Sequence, residues 1–270
     1  MQTDETYVRQ GLKRVDGWLF PYSVDFIRSL AALQRDTGIA GSVGEIGVHH
    51  GKLFILLALA RQAGEGAFAV DVFGDQHLNR DASGRGDREI FLGNVSRWLG
   101  NPETVTVLQR SSLEVRPEDI LAATGPVRLA SVDGGHTEDC VVNDLHLMQA
   151  VLAPAGVVIL DDYFNEFWPE VASGVARYCS DPAARLRPFA ITPNKTYFAG
   201  ADGAADFYRS ALRHKNGYHY EKTAQIFGHA VDIYGTQPWT FSLKRRLMET
   251  VRHSRFGPLA RRVRAQLRRA

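Results

Sequence analysis

Apolar and polar positions alternate along this chain in two rhythms, short β-branched runs and longer stretches at helical spacing. VDFIRSLAALQRDTG places Val24, Phe26, Ile27, Leu30, Ala31 and Leu33 on one helical face and stops at Gly38. It predicts a helix covering one side of a sheet. Ahead of it, Pro21 argues against a helix running through the aromatic segment Gly17, Trp18, Leu19, Phe20 and Tyr22, which reads as packing or as a lid. VGEIGVHHGK (43–52) then predicts a buried strand that breaks at Gly47 and Gly51, and LFILLALARQAG after it predicts a helix. Further strands are predicted in AFAVDVF (67–73), TVTVLQRSS (104–112), VRLASVDGGH (127–136) and AGVVILDDYF (155–164), with helices in TEDCVVNDLHLMQAVL and EVASGVARYC.

RPFAIT (187–192) and KTYFAG (195–200) predict a hairpin over Pro193 and Asn194. A β-α unit repeated five times and then a hairpin implies an α/β fold, a Rossmann-like doubly wound sheet with an antiparallel hairpin at its edge. The expected organisation is an N-terminal helical cap over 1–40, a ligand-binding domain over 41–235 and a tail over 236–270. AQIF and AVDIY, within 219–235, are strand-like pieces suited to extending the sheet or meeting a partner subunit.

Charge changes this picture at one end. The net charge of +2 conceals ten Lys/Arg and one acid between Lys244 and Ala270, leaving 22 basic and 29 acidic residues elsewhere. The tail reads first as a solvated helical tail, with contact to an anionic membrane surface or an acidic partner as the alternatives, whereas the acidic body offers no wider basic groove for nucleic acid. Two cysteines, Cys140 and Cys179, make neither a disulfide framework nor a zinc set, and no run is apolar enough for a signal peptide or a membrane span. A cytoplasmic setting is the expectation.

The unusual polar residues sit where predicted strands end, the edge at which open α/β sheets bind ligands. Glu45 is a carboxylate in a buried strand and needs a partner. Its spacing, E-x-G-x-x-x-G, is not the dinucleotide fingerprint, and an acid there repels phosphate but suits an amine-bearing or cationic ligand. Asp71, one βαβ unit later, is placed to accept hydrogen bonds from ribose hydroxyls, and Ser111 ends the third strand at the same edge. Asp133, Asp161 and Asp162 end the fourth and fifth strands; converging carboxylates repel unless protonated or bridged by a hard cation such as Mg²⁺. His136, three residues after Asp133, is placed to take a proton from a cation-bound hydroxyl. His77, Arg80, Arg85 and Asp87 belong to a long polar loop over the mouth and read mainly as solvated, and His146 reads as a structural residue.

The 43–52 stretch resembles motif I of the class I S-adenosylmethionine (SAM) dependent methyltransferases. Over about residues 40–200 the chain resembles their metal-dependent O-methyltransferase branch. Asp133 and His136 match the D-x-x-K frame of the catechol-type enzymes with histidine for lysine, and Asp161-Asp162 match their D-N pair. VDGGH and LDDYF look closer still to the bacterial sugar and antibiotic-sugar O-methyltransferases. Some of those carry an aspartate base where this chain has Gly135. The resemblance implies SAM across Glu45, Gly47, Gly51, Asp71, Ser111 and Asp133, a divalent cation on Asp133, Asp161 and Asp162, and His136 as base. It further implies a small-molecule or oligosaccharide acceptor and a homo-oligomer such as a dimer. The alternatives are a metal-independent methyltransferase acting on a phenol or other small nucleophile, and a non-catalytic SAM-binding protein.

Overall fold

The computed structural model describes residues 3–200, 203–213 and 219–235. The basic tail, 236–270, lies outside the described residues. The chain begins with a helical turn, α1 (Asp4–Thr6), continued by a π-helical turn over Tyr7–Gly11. Helix α2 spans Pro21–Asp36. It starts earlier than the apolar spacing alone indicates because Pro21 occupies the first turn, where its fixed φ fits and its missing N–H costs nothing.

Strands β1 (Ser42–Ile46), β2 (Ala67–Asp71), β3 (Thr106–Gln109), β4 (Val127–Val132) and β5 (Leu152–Asp161) are parallel neighbours in the order β3-β2-β1-β4-β5. Helices α3 (Lys52–Leu59), α4 (Arg88–Leu99), α5 (Pro117–Thr124) and α6 (Glu138–Val151) make the crossovers. Helix α7 (Pro169–Ser180) leads to β6 (Arg187–Thr192) and β7 (Lys195–Ala199), and β7 inserts antiparallel beside β5.

The hairpin is not the sheet edge. After α8 (Ala204–Arg213), strands β8 (His219–Ile226) and β9 (His229–Gly235) continue the sheet, with β9 parallel to β6 and β8 outermost. The AQIF and AVDIY pieces therefore extend this chain's own sheet. No helix among the described residues is long and apolar enough to cross a membrane.

Two apolar layers sandwich the sheet. One joins Phe26, Ile27 and Leu30 of α2 to Phe54 of α3, Phe91 and Trp98 of α4, and Tyr208 of α8. The other joins Ile120 of α5 to Leu145 and Met148 of α6 and Val175 and Tyr178 of α7. Tyr7 and Val15 of the N-terminal segment belong to the first layer, so that segment is part of the core against which β1 and α3 pack.

One buried ion pair ties β4 to α2 and to the end of α3 at the amino end of the sheet. The fully buried Arg128 of β4 donates from Nε to Glu65 Oε1 at 2.8 Å and from Nη2 to Glu65 Oε2 at 2.9 Å. Its Nη1 donates to Gln34 Oε1 at 2.8 Å, and Nη2 also reaches the Ala60 carbonyl at 2.7 Å. Removing one partner of a buried pair leaves a stranded charge. Glu65→Ala is expected to cost about 3–5 kcal/mol of stability, read as a lower urea midpoint with an unchanged slope.

Candidate active site

The carboxyl ends of β1, β2, β4 and β5 open into one cavity of about 660 Å³. Gly47, Asp71, Ser111, Asp133, His136, Asp161 and Asp162 all line it. Gly47 stands at the closest approach of β1 and β4: its φ is +82°, and a Cβ there would lie 1.8 Å from the Asp133 carbonyl oxygen. Only glycine fits that crossing. Gly51, with φ +89°, precedes α3 and packs against Phe91 instead of lining the cavity.

Asp71 ends β2. Its Oδ2 accepts from the His49 N–H at 2.8 Å and its Oδ1 from the Phe73 N–H at 2.6 Å, which fixes the carboxylate at the cavity wall with lone pairs to spare. Ser111 begins the turn after β3 and caps it by accepting from Leu113 N–H at 3.4 Å. Glu45 is buried within β1 and does not line the cavity. Burial first, then the neighbouring Asp133, push its carboxyl well above the usual range, and Oε2 has no hydrogen-bond partner within the chain.

Asp133, His136 and Asp162 come together with one ligand atom each within 4.8 Å of the others. His136 Nε2 is 3.0 Å from Asp162 Oδ2 and 3.9 Å from Asp133 Oδ1. On the other side of the ring, Nδ1 is 2.8 Å from Asp81 Oδ2, which also accepts from the His136 backbone N–H at 2.5 Å. Trp168 stacks on the ring at 4.3 Å and 13°. Burial pulls the imidazole pKa down, but the bonds to Asp162 and Asp81 outweigh it and push the value up to about 10. Asp81 is held well below the usual range, burial being outweighed by His136 and Ser83.

Asp161 turns elsewhere. Its Oδ2 accepts from Lys195 Nζ at 2.5 Å, and its Oδ1 from Asn194 Nδ2 at 2.8 Å and from Asp162 N–H at 3.0 Å. The Lys195 side chain is only 2 % exposed and enters from β7, opposite β5. Asp162 sits at φ +60°, an unusual conformation for a residue with a side chain. The Asn194 carbonyl, accepting from Asp162 N–H at 3.0 Å, and the amides of Asn194 and Asn165, each 2.7 Å from Asp162 Oδ1, hold it there.

The residues fit the groups the sequence implies. Gly47, Gly134 and Gly135 present bare backbone to the cavity, and Asp71 offers a preset carboxylate beside it. Asp133 is raised well above its ordinary pKa, by burial and then by Asp161, so crowded acids there favour a cation. Its side chain keeps 32 % exposure, toward the cavity. Asp81 and Lys195 are the two residues that sequence reasoning passed over. His146, by contrast, pairs with Asp181 at 3.1 Å, away from the site.

This geometry generates two predictions. Gly47→Ala is expected to abolish cofactor binding in calorimetry, since the β1–β4 approach has no room for a methyl group. In cation-free protein, the raised His136 pKa means that its contribution to stability is full below about 6.5 and is lost as pH rises through 10. A ¹⁵N NMR titration is expected to show this ring still protonated at pH 8.

Residues 45–163 match a family described as a methyltransferase domain. Among solved structures the chain is similar to the O-methyltransferase NovP, at 18 % identity and a TM-score of 0.55, covering 67 % of this chain and 80 % of that one. It is also similar to MycE, a methyltransferase of the mycinamycin biosynthetic pathway solved in complex with Mg and SAH. That match has 14 % identity and a TM-score of 0.51 and covers 75 % of this chain and 56 % of that one. An O-methyltransferase from Bacillus cereus, in complex with SAH, matches at 17 % identity with a TM-score of 0.48, over 73 % and 88 % of the two chains. Comparison with curated protein sequences gives no match. At these identities the structural likeness is one of fold. Residues 45–163 thus match the methyltransferase-domain family, and the chain shares its α/β fold with the O-methyltransferase NovP.

Proposed function

We propose that the protein transfers a methyl group from SAM to a hydroxyl of a small saccharide or saccharide-bearing acceptor, with the help of a divalent cation. The observation that carries this reading is the setting of His136, oriented by Asp81 and facing Asp133 and Asp162 on the cavity wall. SAM supplies an electrophilic methyl group, and a cation held by Asp133 and Asp162, with Asp161 beside them, would acidify an acceptor hydroxyl.

The chain's own residues do the rest. Asp71 holds the ribose, Gly47 lets the backbone approach the cofactor, and Ser111 borders the adenine. Asp81 fixes the ring with Nδ1 engaged, so Nε2 is the atom that takes the hydroxyl proton. A cation on Asp133 and Asp162 would offset part of the negative charge that keeps this ring protonated and so bring it closer to acting as a base, with Asp81 still holding Nδ1. Trp168, stacked on the imidazole, and the exposed Phe164 and Phe167 at the cavity mouth suit the apolar faces of a sugar or its aglycone. The acceptor class rests also on the sugar-modifying resemblance. A homodimer with the basic tail facing an acidic surface or partner completes the reading.

One observation favours a second reading. Lys195 already pairs with Asp161, so one of the acids expected to hold a cation is satisfied without a metal, as suits a metal-independent methyltransferase.

Methyl transfer from labelled SAM to a panel of glycosides separates the two. Chelator is expected to abolish transfer and Mg²⁺ or Mn²⁺ to restore it; full activity in chelator overturns metal dependence. His136→Ala is expected to lower kcat by about 10²–10⁴-fold with an unchanged Kd for SAM. Asp81→Asn is expected to lower kcat more than it changes KM. No SAM binding by the wild type would overturn the whole reading.

A further inference from the structure

A second cluster of metal-ligating side chains lies at the turn after β1, where His49 also lines the cavity. Asp16 of the N-terminal segment meets His49 and His50 of the turn after β1, with one ligand atom of each within 4.8 Å of the others. His50 Nδ1 is 3.7 Å from Asp16 Oδ2, too long for a hydrogen bond. Two donors on a tetrahedral ion lie about 3.3 Å apart, so a shift of a few tenths of an ångström closes this pair on a metal. Nδ1 of His49 and Nδ1 of His50 are both buried and neither makes a hydrogen bond of full geometry, although the Asp16 backbone approaches the His49 ring. Buried polar atoms are normally satisfied, and two adjacent imidazole nitrogens left open beside a carboxylate need a common partner.

The surrounding structure holds the cluster in place. His49 adopts φ +48°, and its backbone N–H is anchored on Asp71. The two imidazole rings lie 3.8 Å apart. Lys52 Nζ donates to the Gly17 carbonyl at 2.7 Å, and Tyr7 Oη donates to the Lys52 carbonyl at 2.7 Å, which brings Asp16 to the histidines. Trp18 packs against His49 at 5.3 Å and lines the cavity mouth.

We propose that Asp16, His49 and His50 form a transition-metal site that clasps the N-terminal segment onto the cofactor turn. Two imidazoles and one carboxylate suit Zn²⁺ or Co²⁺ over Mg²⁺ and leave a coordination position for water. An ion there fixes the wall that carries Trp18. The site is separate from the Asp133 cluster and does not depend on the catalytic reading.

The test titrates full-length protein with ZnCl₂ by calorimetry and with CoCl₂ by visible absorption, comparing wild type with Asp16→Asn/His50→Gln. The expected result is one equivalent of Zn²⁺ lost in the variant, or bound there at least about tenfold more weakly. The zinc-induced rise in melting temperature is expected to shrink with it, while the zinc-free melting temperature stays the same. Equal stoichiometry with affinities within about threefold, or no zinc bound by wild type, overturns the proposal. Should the variant not fold, ¹⁵N NMR of the histidine rings in the wild type decides. Shifts at His49 and His50 with the first equivalents of zinc support the site, and rings that do not respond overturn it.

Discussion

The carboxyl edge of this sheet gathers Asp133, Asp161, Asp162 and Asp81 within one small volume. Carboxylates brought this close raise one another's pKa unless cations separate them. The fold supplies two cations of its own. Lys195 arrives from β7 against Asp161, and His136 stands between Asp81 and Asp162. Asp133 is left without a cationic partner at hydrogen-bonding distance. Its raised pKa and its exposure to the cavity mark it as the carboxylate most in need of an external positive charge.

The mixed sheet supplies one of these cations at the carboxyl edge. Inserting β7 antiparallel beside β5 presents its first residue, Lys195, there. The tight turn before it brings Asn194, whose amide binds both Asp161 and Asp162. Asp162, at a positive φ, stays in an unfavourable conformation because these bonds over-determine it. On the other side of the ring, Asp81 reaches across from the loop after β2, so the loop over the cofactor wall and the candidate base share one contact.

Much of this was legible in the sequence, for a physical reason. A strand that is apolar along its length makes the acid at its end conspicuous. Asp71, Asp133, Asp161 and Asp162 stand out because buried runs do not otherwise end in charge. His136 was legible by its spacing from Asp133. Asp81 was not, because it lies in a polar loop where any of several acids and bases reads as solvated, and only the tertiary path of that loop selects it. Lys195 opens a strand, a position where lysine is ordinary, and its partner is 34 residues away. The place of β8 and β9 was open for a related reason. Periodicity identifies a strand without naming its neighbour, and only the sheet order shows that they pair onward from the hairpin.

The central claim is that Asp133 and Asp162 hold a divalent cation beside His136. It is tested most directly by a crystal structure with S-adenosylhomocysteine and Mn²⁺, read by anomalous scattering. The prediction is a single strong anomalous peak bonded to Asp133 and Asp162 on the cavity wall, with the cofactor ribose on Asp71. Bound cofactor with no anomalous peak at these carboxylates, and Lys195 still on Asp161, would contradict it.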